Sequence, residues 1–222
     1  MITPAQTTSR LNKDIGAVVR PLGFQGTRGN WSVVTTDGVA QVNVGRSVMR
    51  SVGDGTIFVY VSIGVVPLAW WEYVNWRAAR WGQPPIALDK NATSHAIGFV
   101  ELRQRPKGSH YHLRMAPDRY TAAVTTTEEL DHAAALLVPA ADKLAHTALD
   151  LLRPGRYLKA LRAIPDLGGA MWEPLVVLLA ERGPSAELDA AIQDMRADYA
   201  NCGFSPPDME VEYARTQAAA AA

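Results

Sequence analysis

Apolar and polar residues alternate most regularly between Trp31 and Val66, and this alternation predicts three consecutive antiparallel strands. Trp31 to Thr35 runs into Asp37-Gly38, after which Ala40, Val42 and Val44 alternate with Gln41 and Asn43. An Asp-Gly pair between two β-rich runs is a strong hairpin signal, because a tight turn needs positive φ and glycine adopts it without a Cβ clash. A second turn at Gly53-Asp54-Gly55 leads into residues 56–63, where Ile57, Val59, Val61 and Ile63 form an aliphatic face. Period-two alternation directs these four to a core and turns Phe58, Tyr60 and Ser62 onto a face only partly buried.

Helical spacing takes over on either side. Thr3 and Pro4 suit the N-cap and first position of a helix carried by Leu11, Ile15, Val18 and Val19 and closed by Arg20-Pro21-Leu22-Gly23. Its single apolar stripe implies that it lies on the sheet. Residues 68–81 read as a short helix holding four of the six tryptophans. Trp70, Tyr73, Val74, Arg77 and Trp81 share one of its faces, whereas Trp71 and Trp76 point elsewhere. A second hairpin is expected from residues 97–105 and 110–115 around a turn at Pro106-Lys107-Gly108-Ser109. Thr125-Thr126-Thr127-Glu128 offers a capping box for a long helix that reaches Arg153-Pro154-Gly155, with a kink near Pro139. Shorter helices follow at about 156–163, 170–182 and 186–201, with Gly183 suited to a helix C-terminus and Ser185 to the next N-cap. The tail from Phe204 reads as irregular, its closing Ala218 to Ala222 run being set aside.

The expected architecture is therefore α+β. An antiparallel sheet of about five strands is covered by the N-terminal helix and the long helix, and a helical C-terminal part packs alongside. The expected boundaries are an α+β domain over 1–153, a helical extension over 154–203 and a tail over 204–222.

A helix closing in Val-Arg-Pro-Leu-Gly-Phe is followed by a Gly-rich link to Trp31, then by Val42-Asn43-Val44 and Val61-Ser62-Ile63-Gly64-Val65. Over about residues 8–150 this resembles the bacterial domain-of-unknown-function family 4304. The resemblance implies a bacterial origin and an α+β fold. It supplies no activity, cofactor or site residue.

Charge narrows the function classes. Lys plus Arg (22) equals Asp plus Glu (22), so no global field favours nucleic acid or an anionic membrane. The single cysteine, Cys202, allows no intrachain disulfide. The first twenty residues lack a signal-peptide core, and no apolar run approaches the ~20 residues that span a bilayer. Cytoplasm is the expected location.

The expected second hairpin has an apolar face of Val100, Leu102, Tyr111, Leu113 and Met115 and an opposite face of Glu101, Arg103, Arg105, His110, His112 and Arg114. Cations on alternate strand positions can meet phosphates or an acidic partner. Equally, they form an ordinary solvated face, with a Glu101–Arg114 pair contributing roughly 0.2–1 kcal/mol. His110 and His112 could give two imidazole ligands, but arginine neighbours repel a cation and a site needs three or four ligands, so no metal and no cofactor is expected. No Gly-x-Ser-x-Gly, phosphate-cradling glycine loop or His-Glu-x-x-His occurs, so no catalytic residue is assigned.

The functional expectation is a non-catalytic interaction module, of the kind that serves in defence or immunity. It would bind a protein partner through Arg103, Arg105, His110, His112 and Arg114 together with exposed Trp71 and Trp76. The alternative is an enzyme that holds an anionic or phosphorylated small molecule on Arg103, Arg105 and His112. A third possibility, an obligate subunit, would show itself as an apolar helix exposed at 170–182.

Overall fold

The computed structural model describes residues 2–49, 56–97, 106–114, 116–117, 123–165 and 167–222, with positions 47–49, 56–57, 114, 116–117 and 123–124 described by backbone alone. The elements are α1 (Pro4–Val19), β1 (Gln25–Thr27), β2 (Asn30–Thr35), β3 (Gly38–Met49), β4 (Thr56–Pro67), α2 (Leu68–Arg80), β5 (His110–Arg114), β6 (Ala116–Pro117) and β7 (Ala123–Val124), then α3 (Thr127–Leu152), α4 (Arg156–Arg162), α5 (Trp172–Ala180), α6 (Ala186–Asn201) and α7 (Asp208–Ala220). A five-stranded antiparallel sheet has the order β1-β2-β3-β4-β5, and β6 pairs with β7 in a second, two-stranded sheet. The chain is α+β, as its patterning predicts.

One of the five strands, β1, is outside the expected set. Residues 98–105, one arm of the expected second hairpin, lie outside the described residues, and Ile97 is buried but in no strand. The other arm is β5, which pairs with β4, placing His112 opposite Phe58 and His110 opposite Tyr60. Strand β1 falls in the stretch that reads as a Gly-rich link in the sequence. It is a short exposed strand joined to β2 by a tight turn in which Arg28 and Gly29 adopt φ of 56° and 83°.

Contacts divide the chain into two compact units. The first comprises Met1–Val33, Ala40–Gly64 and Glu101–Asp150, and the second Val34–Val39, Val65–Val100 and Leu151–Ala222. The division passes through β2, β3 and β4, and it has a further break between Asp150 and Leu151.

In the first unit α1 begins where its cap chemistry dictates. The Thr3 side chain accepts the Gln6 N–H at 3.3 Å, and the Gln6 side chain accepts the Thr3 N–H at 2.9 Å. This reciprocal pair satisfies two otherwise orphaned donors. The stripe Leu11, Ile15 and Val19 is buried, as are Val42, Val59, Val61 and Leu113 on the inner sheet face. Helix α3 is capped by Thr126, which accepts the Glu129 N–H at 3.1 Å. It reaches the same face through Glu129, which accepts the Tyr111 hydroxyl at 3.1 Å, and through His132, whose ring lies 5.4 Å from that of Tyr111.

The second unit is built on α5. Every residue from Pro174 to Ala180 is buried, and α2, α4, α6 and α7 all pack on this helix. A helix that is apolar on all sides must be enclosed, and this one is enclosed by its own chain. The exposed apolar helix that would mark an obligate subunit is therefore not found here. Ser185 caps α6 by accepting the Leu188 N–H at 3.2 Å. Residues 208–220, expected to be irregular, form α7, which buries Val211, Tyr213, Ala214 and Ala218. Alanine has the highest helix propensity, and those positions recur at helical spacing. At the start of α2, Pro67 supplies no side-chain cap, and the Asp37 carbonyl accepts the Leu68 N–H at 2.9 Å instead. Gly38, at φ 136°, lets the Asp37-Gly38 turn approach the backbone of residues 66–68, where a Cβ would overlap the Val66 carbonyl oxygen.

Candidate interaction surface

Strand alternation sorts the side chains of β4 and β5 onto two faces. Val59, Val61 and Leu113 enter the core, so Phe58, Tyr60, His110 and His112 share the other face. Phe58 and Tyr60 are half-buried, and both histidines are exposed. The Phe58 ring is the hub, with centroids at 5.0 Å from His112, 5.6 Å from His110 and 5.5 Å from Tyr60. These separations are those of aromatic pairs in contact. The two imidazoles stand perpendicular at 6.4 Å. Tyr60 lies over Gly45 of β3, where any Cβ would overlap its ring. The bare glycine is thus the seat that lays Tyr60 flat across the sheet.

The cluster offers apolar ring faces together with imidazole groups that both donate and accept hydrogen bonds. Among the described residues no group of three or more His, Cys, Asp or Glu is placed to hold a metal ion.

Of the expected site residues, His110 and His112 are brought together. Arg103 and Arg105 lie outside the described residues, and Arg114 is described by backbone only, opposite Thr56. Trp71 and Trp76, expected to be exposed, are half-buried and engaged. The Trp71 indole N–H donates to the Ile86 carbonyl at 3.0 Å, and Asn75 accepts the Ile86 N–H at 2.6 Å, so this side of α2 holds the loop after it. Trp76 packs on Tyr213 of α7 at 5.2 Å, with the Arg80 guanidinium 4.6 Å from its ring centre. The exposed tryptophan is Trp81, at 59%. Helical spacing assigns it to the Trp70 face, but it stands at the C-cap, where the helix ends.

A polar network in the second unit has no sequence signature. The Tyr73 hydroxyl donates to Glu210 Oε1 at 2.6 Å and accepts from Arg77 Nη1 at 3.3 Å. Arg77 also reaches Glu173 at 3.4 Å, and Glu173 accepts the Tyr199 hydroxyl at 2.8 Å. Burial, then the bond to Glu210, pushes the Tyr73 phenol far above its ordinary value of 10. Burial and Glu173 raise Tyr199, and burial with the charges of Glu72 and Glu181 raises Tyr213. The network ties α2, α5, α6 and α7 together.

No protein-family model, curated protein or solved structure matches the chain. Among the described residues no helix is long and apolar enough to cross a membrane.

Proposed function

We propose that the chain is a non-catalytic bacterial module that binds a protein partner through the ring cluster of Phe58, Tyr60, His110 and His112. The observation that carries this reading is a cluster of four rings gathered around Phe58 on one sheet face, with the two histidines exposed to solvent. Aromatic side chains give large contact area at low entropic cost, which is why they dominate interface hot spots. The resemblance to family 4304 belongs to this proposal and supplies the bacterial assignment. The role in defence or immunity rests on analogy with other small α+β modules. Trp71 and Trp76 leave the contact surface, because their rings support the second unit.

The test is quantitative affinity capture from a bacterial lysate with three forms of the tagged chain. A specific partner held by the native form should be lost on combined Phe58→Ser and His112→Ala and retained on Trp81→Ala. Truncating two hot-spot side chains costs roughly 2–4 kcal/mol, at least a thirtyfold loss of affinity. A partner captured equally by the native and doubly substituted forms would refute the assignment.

A further inference from the structure

We infer a second binding site, for a small carboxylic acid with a short apolar tail, in the pocket between α1 and the inner sheet face of the first unit. The pocket has a volume of about 200 Å³. Its floor is Leu11, Val59 and Leu113, all buried core residues. Its rim carries Arg28 and Arg46, and among the described residues no carboxylate lines it. Two guanidinium groups above an apolar floor complement an anionic head and a hydrocarbon tail.

Three further observations distinguish this pocket from an ordinary surface dimple. Neither Arg28 nor Arg46 has a carboxylate partner among the described residues. A larger cavity of about 710 Å³ in the second unit also carries basic side chains, but Asp37 and Glu181 line it too, and its Arg162 is paired with Glu187 at 2.6 Å. Arg46 is positioned by its bond to Thr8, Nη1 to Oγ1 at 3.3 Å. The Thr8 hydroxyl donates its own proton to the Pro4 carbonyl at 2.9 Å, which leaves its oxygen free to accept from the guanidinium. Arg46 retains further N–H donors for a ligand.

Arg28 is the only non-glycine residue at positive φ among the described residues. Asn, Asp or Gly holds such a turn position at lowest cost, and an arginine there is backbone strain kept for its side chain. The strained turn is clamped against α1. Gly29 lies against Asn12 Oδ1, a buried oxygen with no hydrogen-bond partner among the described residues. The volume is below the ~300–1,000 Å³ of pockets for drug-sized ligands, which limits the occupant to a short acyl chain or one ring.

The experiment is calorimetric titration of the full chain with sodium hexanoate. Saturable binding to one site in the millimolar range or tighter is expected, with acetate, inorganic phosphate and hexanol at least tenfold weaker. Arg28→Asn and Arg46→Gln should each weaken hexanoate at least tenfold. Arg28→Asn should also leave the melting temperature unchanged or higher, since asparagine relaxes the turn. Absence of saturable hexanoate binding would overturn the inference. So would phosphate binding as well as hexanoate, which signals a bare anion contact, or hexanol doing so, which signals a greasy hole. Undiminished binding in the folded Arg46→Gln form would exclude the rim as the anion holder.

Discussion

The bond between Tyr73 and Glu210 holds the last helix to the second unit, and its strength can be measured. Tyr73 is fully buried, and its hydroxyl donates to a carboxylate at 2.6 Å. A hydrogen bond to a charged group contributes about 1.5–3 kcal/mol, and a buried donor left without an acceptor costs about 1–3 kcal/mol. Glu210→Ala strands the hydroxyl, because Arg77 can only donate to it. We expect a loss of about 2–3 kcal/mol. Tyr73→Phe removes the donor and leaves a half-buried carboxylate that water can reach, for about 1–2 kcal/mol. In the Tyr73→Phe background, Glu210→Ala should cost little more, giving a coupling of about 2–3 kcal/mol. Urea unfolding followed by tryptophan emission is the assay. Five of the six tryptophans belong to the second unit, so the signal reports on it. At ~2–3 kcal/mol per molar urea, Glu210→Ala should lower the midpoint by about 1 M. Additivity of the two single changes within ~0.3 kcal/mol would show that the bond contributes nothing, and the reasoning would fail.

Alkaline pH should weaken the same unit. The phenols of Tyr73, Tyr199 and Tyr213 have folded values above 10, so above pH 10 the unfolded chain releases protons that the folded chain keeps. Stability contributed below that pH is then lost at about 1.4 kcal/mol per pH unit for each of the buried Tyr73 and Tyr213, less for half-buried Tyr199. Urea midpoints at pH 9, 10 and 11 check this, and a flat profile contradicts it. Gly38→Ala should destabilise by about 2–4 kcal/mol, because the new Cβ meets backbone at Val66 and the residue is held at φ 136°. Thermal melts of the purified variant measure it, and an unchanged melting temperature would show that the turn can move away from α2.

Local chemistry makes most elements legible. Thr3-Pro4 and Ser185 are caps in the sequence and in the structure, because a cap depends on residues within one turn. The box expected over Thr125–Glu128 is shifted by one residue, to Thr126 and the Glu129 N–H. Alternation likewise places Val59 and Val61 inside and Phe58 and Tyr60 outside. It cannot say which strand lies beside His110–Arg114, since period two fixes a face and not a neighbour. The ring cluster therefore stays split into two half-observations until the register joins residues 58 and 112. Trp76 escapes a sequence reading for a related reason. The side chain that covers it, Tyr213, lies 137 residues further along the chain, and helical spacing within one element cannot reveal a cover so distant in sequence.

The interleaving of the two contact units along the chain constrains how the protein can be made. The first unit needs residues up to Asp150, and the second needs both Val34–Val39 and Leu151–Ala222. Neither can be completed early by the ribosome. Residues 65–100 emerge long before α5 arrives to pack on α2, so the apolar side of α2 stays uncovered until then. A fragment ending near 153 would keep the ring cluster's residues but strand α2 without its covering helices. Both proposed binding surfaces lie in the first unit, so telling them apart calls for point substitutions in the whole chain.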